Sequence, residues 1–169
     1  MGPYFIDFEA FQYQGQYKIK ELFIIDVENP LIPLYYVFDS PSSWRELDDD
    51  QQYQYSYQTR KIHHLKWHEG DNCYCTNCIM WHIKNDFPYW CNGIFYVMDC
   101  YNGQKVKFLM QEFPMLNIVN YNVTFKQLPY ITRNISCLHR DHGVHCAYLK
   151  CMRLCYHYMN DACPVKTDE

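Results

Sequence analysis

An acidic pair near the start of the chain is the first feature of the sequence that suggests chemistry. Asp7 and Glu9 stand two residues apart within residues 4–9, where apolar and polar side chains alternate. This alternation is typical of a β-strand and places both carboxylates on one face. Adjacent carboxylates repel each other, so a strand that turns them inward needs a compensating cation, for which a divalent metal ion is the obvious candidate. The alternative is a solvated edge strand with an acidic face.

A second group of chemically active side chains lies towards the end of the chain. Residues 137–146 contain five soft or borderline metal ligands: Cys137, His139, His142, His145 and Cys146. Zinc needs four such groups in a tetrahedron, and a loop that runs into a helix presents them from nearby positions. The pattern predicts a structural zinc that contributes to folding. The alternative is that the cysteines pack as small apolar residues and the histidines are exposed.

A third group lies in the middle of the chain. Its members are Cys73, Cys75, Cys78 and His82, preceded by three further histidines: His63, His64 and His68. Cys78 and His82 are one helical turn apart, as paired metal ligands on a helix are. The spacing is compatible with a second metal site, although we favour buried free thiols over that site.

Six basic residues fall into two groups along the chain: Arg60, Lys61 and Lys66, and then Arg140, Lys150 and Arg153. Because the formal net charge is −4, no overall positive field attracts nucleic acid. Binding of single-stranded RNA therefore requires a local patch, which these residues are predicted to form. The alternative is that they belong to a solvated surface without a ligand.

The elements that position these groups follow from hydrophobic periodicity and from turn residues. Apolar runs predict strands at residues 4–9, 17–27, 34–38, 94–98 and 116–119, of which the first three form an antiparallel meander. Apolar stripes predict helices at residues 51–67 and 73–86, after Asn102-Gly103, and at residues 146–159. This order predicts an α/β (α+β) fold in which helices flank a mixed sheet.

Length and composition restrict the class of protein. The 169 residues fit a single domain, 1–169. No apolar run reaches the length of a membrane span and no signal-peptide pattern is present, so we expect an intracellular protein, cytoplasmic or nuclear, that binds no membrane. In a reducing compartment its ten cysteines are expected to be thiols or metal ligands. The sequence contains no phosphate-binding loop, dinucleotide fingerprint or serine-hydrolase motif.

The acidic strand, the meander, the alternating helices and strands and a final histidine-bearing helix together resemble the RNase H-like fold of DEDDh exonucleases. That family cleaves from the 3′ end with two metal ions held by four acids, and a histidine serves as the general base. Asp7 and Glu9 match its first motif, and residues 145–150 are similar to its last motif. The resemblance implies that His145 occupies the place of the base.

The sequence departs from the exonuclease pattern at the other two acids. Lys150 stands where the final acid is expected, and Lys105 stands where the middle acid is expected. An ammonium group cannot bind a divalent ion, but it neutralises a neighbouring carboxylate, so the resemblance implies a degenerate exonuclease. In the alternative, an exonuclease dependent on magnesium or manganese, Asp99 at the end of the fourth strand and Asp141 supply the missing acids.

The chain is also similar to the Maelstrom domain of small-RNA transposon silencing, a nuclease fold without its acids. That domain holds zinc with a Glu-Cys-His-Cys set. The resemblance implies the ligands Glu21, Cys137, His139 or His142, and Cys146. Zinc at this place would join the last helix to the meander.

Three functions follow from these observations. The first is a catalytically inactive, zinc-stabilised RNase H-like module that binds RNA, a protein partner or both in the silencing of mobile elements. The second is a metal-dependent exonuclease that uses Asp7, Glu9, Asp99 and His145. The third is an interaction or dimerisation domain whose tyrosine-rich surface contacts only protein.

Overall fold

The acidic segment forms the central strand of a five-stranded mixed sheet. The computed structural model describes residues 3–13, 16–62, 64–68, 70, 74–87, 89–99, 103–130 and 146–162. The strands in chain order are β1 (Tyr4–Tyr13), β2 (Gln16–Asp26), β3 (Leu34–Val37), β4 (Ile94–Val97) and β5 (Asn117–Asn120). The sheet order is β3-β2-β1-β4-β5, with antiparallel pairing from β3 to β1 and parallel pairing from β1 to β5.

Helices flank this sheet. They are α1 (Asp49–Lys61), α2 (Thr76–Asp86), α3 (Gln104–Glu112) and α4 (Ala147–Ala162). α4 packs across β1 and β2, and α3 packs against β5. Among the described residues, no helix combines the length and the apolar character that a membrane crossing requires.

Strand alternation in β1 divides the core between the two faces of the sheet. Tyr4, Ile6 and Phe8 pack in one cluster together with buried residues of α2 and α3. Phe5 packs in the other cluster with residues of α4 such as Leu154. Asp7 and Glu9 share the parity of Phe5, so they are directed to the side of the sheet that α4 covers.

The predicted mixed sheet with flanking helices is confirmed, and the predicted strands are found within a few residues of their expected ends. The helix predicted for residues 51–67 was too long, because the chain leaves the helix after Lys61 and brings Trp67 back against α1. The Trp67 ring stacks on Tyr55, with the ring centroids 4.5 Å apart. The helix predicted for residues 73–86 is observed from Thr76, with Cys75 as its N-cap.

Candidate functional site

Two lysines neutralise the acidic pair of β1. Asp7 and Glu9 are buried, with exposed fractions of 1% and 8%. Lys105 Nζ forms an ion pair with Asp7 Oδ1. Lys150 Nζ lies 2.6 Å from Asp7 Oδ2 and 2.5 Å from Glu9 Oε1. These four residues, called the ion-pair cluster below, have no net charge, which confirms the expectation that lysines balance the two acids.

Lys105 is held in place at the start of α3. Gly103 is the N-cap of this helix, with a φ of 80° that glycine adopts without strain. The carboxylate of Asp99 accepts a hydrogen bond from the amide of Val106 at 3.0 Å. Lys105 Nζ also donates a hydrogen bond to the backbone carbonyl of Phe8 at 2.9 Å. The same atom lies 4.9 Å from the centroid of the Phe8 aromatic ring. These contacts hold the ammonium group against β1.

Lys150 is directed at the acids by the way α4 begins. Glu21 on β2 is fully buried and stands opposite Glu9 in the strand register. Its carboxylate accepts a hydrogen bond from the amide of Ala147, the first residue of α4, at 3.1 Å. A carboxylate at this end of a helix is favoured by the unpaired amides and by the helix dipole. Lys150 follows in the first turn of α4 and reaches β1.

Burial and charge act in opposite directions within the ion-pair cluster. Burial alone raises the pKa of Asp7, but the ammonium groups of Lys105 and Lys150 outweigh it and hold that pKa below its usual value. Burial alone lowers the pKa of Lys150, but the carboxylates of Asp7 and Glu9 reverse the effect and hold it well above its usual value. Asp7 and Lys150 are therefore both charged at neutral pH.

The ion-pair cluster stabilises charge but is poorly suited to catalysis. A divalent ion bound by Asp7 requires carboxylate oxygens, and each oxygen of Asp7 already faces an ammonium group. An added divalent cation would also be repelled by both lysines. A carboxylate with a lowered pKa is a weak general base, and a protonated lysine is not a nucleophile. The geometry therefore favours a structural role.

A cavity of about 310 Å³ opens beside the ion-pair cluster. Its wall includes Glu9 and Lys105 together with the aromatic rings of Phe8, Tyr17 and Phe108. Glu9 and Lys105 of the ion-pair cluster thus border a cavity whose wall is partly aromatic, whereas Asp7 remains buried.

The first predicted zinc site is described only in part. Glu21 and Cys146 are buried, and the bond from Ala147 to Glu21 places the residue after Cys146 against β2. The sulfur of Cys146 accepts a hydrogen bond from the amide of Leu149 at 3.3 Å. Further predicted residues lie outside the described ones: Cys137, His139, Arg140, Asp141, His142 and the predicted base His145.

The second predicted metal site is also incomplete. Cys75 and Cys78 lie at the start of α2, and His82 Nδ1 is 3.5 Å from Asp86 Oδ2 further along that helix. Cys73 and His63 lie outside the described residues. Within the part of the chain that the structure describes, no three Cys, His, Asp or Glu side chains are grouped so that they could hold a metal ion.

The first predicted basic group lines a cavity of about 570 Å³. Arg60 and Lys66 are in its wall together with Trp44, Trp67 and His68. We call this the basic cavity. Lys61, which follows Arg60 at the end of α1, is exposed.

Two members of the second predicted basic group, Lys150 and Arg153, are buried and do not contribute to a surface patch, which corrects the sequence prediction for these two residues. Lys150 belongs to the ion-pair cluster. Arg153 is buried and donates hydrogen bonds to the carbonyls of Leu128 at 2.7 Å and Pro129 at 2.6 Å. Both cations have partners inside the protein because the inner face of α4 packs on the sheet.

Two features of these sites were missed by reasoning from the sequence. Trp44 and His68 are part of the wall of the basic cavity. The run Lys66-Trp67-His68 could have indicated this cavity, because cationic or ionisable residues flank an aromatic one there. Asp99, predicted as an acid of the exonuclease alternative, binds an amide in the first turn of α3. Its position shortly before Asn102-Gly103 is compatible with this capping role.

Comparison of the chain with protein-family models, with curated proteins and with solved structures gave no match. Function is therefore inferred from the residues and their geometry.

Proposed function

We propose that this chain is a catalytically inactive RNase H-like domain that serves as a binding module for single-stranded RNA. The observation that carries the proposal is the ion-pair cluster. Asp7 and Glu9 stand where the resemblance to exonucleases expects metal ligands, and Lys105 and Lys150 stand where it expects the remaining acids. The lysines supply the positive charge that metal ions supply in an active enzyme of that class.

The strand order supports the fold assigned in this proposal. A three-stranded meander followed by two parallel strands puts β1 in the centre of the sheet. The first acidic motif of an RNase H-like nuclease is expected on such a strand. α4 then crosses β1 and β2 and brings Lys150 to the acids, as the last motif of that fold is expected to do.

The basic cavity supports RNA as the ligand. Arg60 and Lys66 offer positive charge to phosphates, and the indole of Trp44 offers a surface on which a base can stack. Because the chain as a whole has a net charge of −4, attraction of an RNA strand depends on such a local group of cations. Small-RNA or mobile-element silencing is the biological setting that the Maelstrom resemblance suggests.

A structural zinc is part of the proposal. Glu21 on β2 and Cys146, the residue before α4, supply a carboxylate and a thiol, and these are ligands that zinc accepts. Cys137 with His139 or His142 would complete the set. Metal analysis of protein purified without chelators is expected to find one zinc per chain, which is lost in Cys146→Ser and kept in the exposed-site control Cys91→Ser. Full stability in a metal-free protein would contradict this part of the proposal.

A nuclease assay tests the loss of catalysis. Purified protein is incubated with end-labelled single-stranded RNA and DNA in the presence of manganese, beside the Asp7→Ala variant prepared in the same way. We expect equal, background degradation from both proteins. Degradation by the wild type that disappears in Asp7→Ala would show an active exonuclease and would overturn the proposal.

A gel-shift series at two salt concentrations tests RNA binding. The charge reversal Arg60→Glu with Lys66→Glu is expected to abolish retardation, because it inverts the charge of the basic cavity. Lys107→Glu with Lys126→Glu changes the total charge by the same amount at exposed positions elsewhere and is the matched control. Equal losses from both pairs would mean that only the total charge matters.

A second candidate, binding of protein alone, is favoured by one surface feature. Leu31 and Ile32, in the turn between β2 and β3, are 89% and 61% exposed. Contiguous exposed apolar side chains mark protein-contact sites, and Leu31 and Ile32 are adjacent in sequence. A lack of RNA retardation even at low salt would favour this candidate.

A further inference from the structure

Two cysteines at the start of α2 have the arrangement of a reactive dithiol. Cys75 is the N-cap of the helix, and its sulfur accepts a hydrogen bond from the amide of Cys78 at 3.3 Å. Cys78 is exposed and Cys75 is partly exposed, so the expectation of buried free thiols was wrong for these two residues. The two cysteines therefore lie next to each other at the protein surface.

The surroundings favour a thiolate on Cys75. The neighbouring Cys78 thiol lowers the pKa of Cys75, and the hydrogen bond from the Cys78 amide adds to this effect. The same pairing raises the pKa of Cys78. A helix N-terminus also stabilises negative charge, as it does in many reactive Cys-x-x-Cys pairs. Cys75 is thus suited to be the attacking sulfur, while Cys78 keeps its proton.

The pair sits on a firmly anchored element. Ile79 and Ile83 of α2 are buried in the core. Tyr74, just before the pair, packs edge-on against Phe38 with the ring centroids 5.1 Å apart, and its hydroxyl donates to the carboxylate of Glu112. The chain is therefore anchored on both sides of Cys75, which keeps the two cysteines near each other.

Other described cysteines lack this combination. Cys146, Cys151 and Cys155 are buried. Burial raises the pKa of Cys151 well above its usual value and raises that of Cys155 to about 11, so these two thiols are protonated and unreactive. Cys91 is exposed, lies outside α2 and provides an internal control.

We propose that Cys75 and Cys78 form a redox-active dithiol that exchanges with low-molecular-weight disulfides. The Cys75 thiolate attacks one sulfur of a disulfide RSSR, so that a Cys75–SR bond forms, the RS–SR bond breaks and the departing thiolate takes up a proton. Cys78 then gives up its proton and attacks the Cys75 sulfur, which releases the second RSH. Two electrons pass from the dithiol to RSSR, leaving a Cys75–Cys78 disulfide and two RSH.

The spacing permits this closure with a small adjustment. Residues three apart on a helix have their Cβ atoms about 5–6 Å apart. A disulfide requires roughly 3.5–4.5 Å between Cβ atoms, so two cysteines at that helical spacing have to move closer together. Cys75 is a cap residue with extended backbone dihedrals, and it can move in this way without breaking a helical turn.

The test uses the full reduced chain and oxidised glutathione as the probe. In the wild type we expect a disulfide that peptide mapping assigns to Cys75 and Cys78. Cys78→Ser is expected to accumulate a glutathione adduct on Cys75, because the resolving thiol is missing. Cys75→Ser is expected to form neither product, and serine retains the N-cap, so circular dichroism should show an unchanged fold. Below neutral pH, iodoacetamide should modify Cys75 several-fold faster than Cys91.

Three results would each overturn the proposal. One is a glutathione adduct in Cys78→Ser that forms on Cys91 as fast as on Cys75. Another is a disulfide that maps to a different cysteine pair in the wild type, for example one with Cys73. The third is stoichiometric protection of Cys75 and Cys78 from alkylation by added Zn²⁺, which would identify them as metal ligands.

Discussion

Replacement of Lys150 by methionine gives the sharpest test of the ion-pair cluster. The change retains most of the side-chain volume and removes an ammonium group that contacts both Asp7 and Glu9. Two carboxylates would then remain buried with Lys105 as their only partner within the cluster. We expect a large loss of stability, because an uncompensated charge in the interior is costly.

The size of this loss follows from the contacts of Lys150. At an effective dielectric constant of about 20, two unit charges at the 2.5 and 2.6 Å separations of these ion pairs attract each other by roughly 6–7 kcal/mol. Lys150 makes two such contacts, and desolvation offsets much of their sum, so that removal of one partner of a buried pair costs about 3–5 kcal/mol. In a chain of this size, that corresponds to a fall in Tm of roughly 6–20 °C.

Urea unfolding followed by circular dichroism measures the effect. The exposed Lys107→Met on α3 is the control and is expected to change the unfolding free energy by no more than about 0.5 kcal/mol. Adding Glu9→Gln to Lys150→Met restores neutrality, and we expect it to recover about 1–3 kcal/mol as a coupling energy. If Lys150→Met is as stable as Lys107→Met, the ion pairs contribute no net stability, and the reasoning from burial and charge is wrong.

Three further predictions concern pH, packing and capping. Lys105 and Lys150 hold the pKa of Asp7 below its usual value, so the contribution of Asp7 to stability is present above about pH 4 and is lost as the pH falls through the lowered pKa. Acid titration of the unfolding free energy should show this loss. The exposed-site control Asp49→Asn should show the same loss as the wild type. Gly93→Ala would place a methyl group against the ring of Tyr4 at a distance too short for van der Waals contact, so thermal unfolding should reveal a loss of about 1–3 kcal/mol. An unchanged Tm would show that the ring moves aside. Asp99→Ala removes a hydrogen bond at the start of α3 and should cost about 1 kcal/mol in urea unfolding; a cost near zero would mean that water replaces the carboxylate.

The ion-pair cluster was largely predictable from the sequence. Alternation in residues 4–9 placed Asp7 and Glu9 on one face, and successive side chains of β1 do pack on opposite faces of the sheet. Lys105 and Lys150 were predicted to neutralise them because each falls at a position of the resemblance where an acid is expected, and both lysines do contact the pair. This prediction succeeded because two buried carboxylates need a compensating positive charge, and a lysine that reaches them from a neighbouring helix supplies it.

Features that depend on long-range packing were not predictable. The end of α1 is set by Trp67 stacking on Tyr55, a contact that local helix propensity does not contain. Arg153 was predicted to belong to a basic surface patch, yet it is buried and donates hydrogen bonds to two carbonyls beneath α4. Local patterns determine which residues share a face, whereas the partners of a face depend on how distant segments pack.

Stability and binding are assigned to different parts of this molecule, which makes the two roles separable. The ion-pair cluster joins β1 to α3 and α4, so its loss should weaken the whole domain. The basic cavity is formed by α1 and the segments on either side of it, and Arg60 and Lys66 are exposed there. Reversing the charges of Arg60 and Lys66 should therefore reduce RNA binding at unchanged Tm, whereas Lys150→Met should lower Tm while RNA binding persists at a temperature where the variant is folded. An enzyme of the exonuclease class would show the opposite coupling, because its acidic centre would contact the substrate and changes there would alter binding directly.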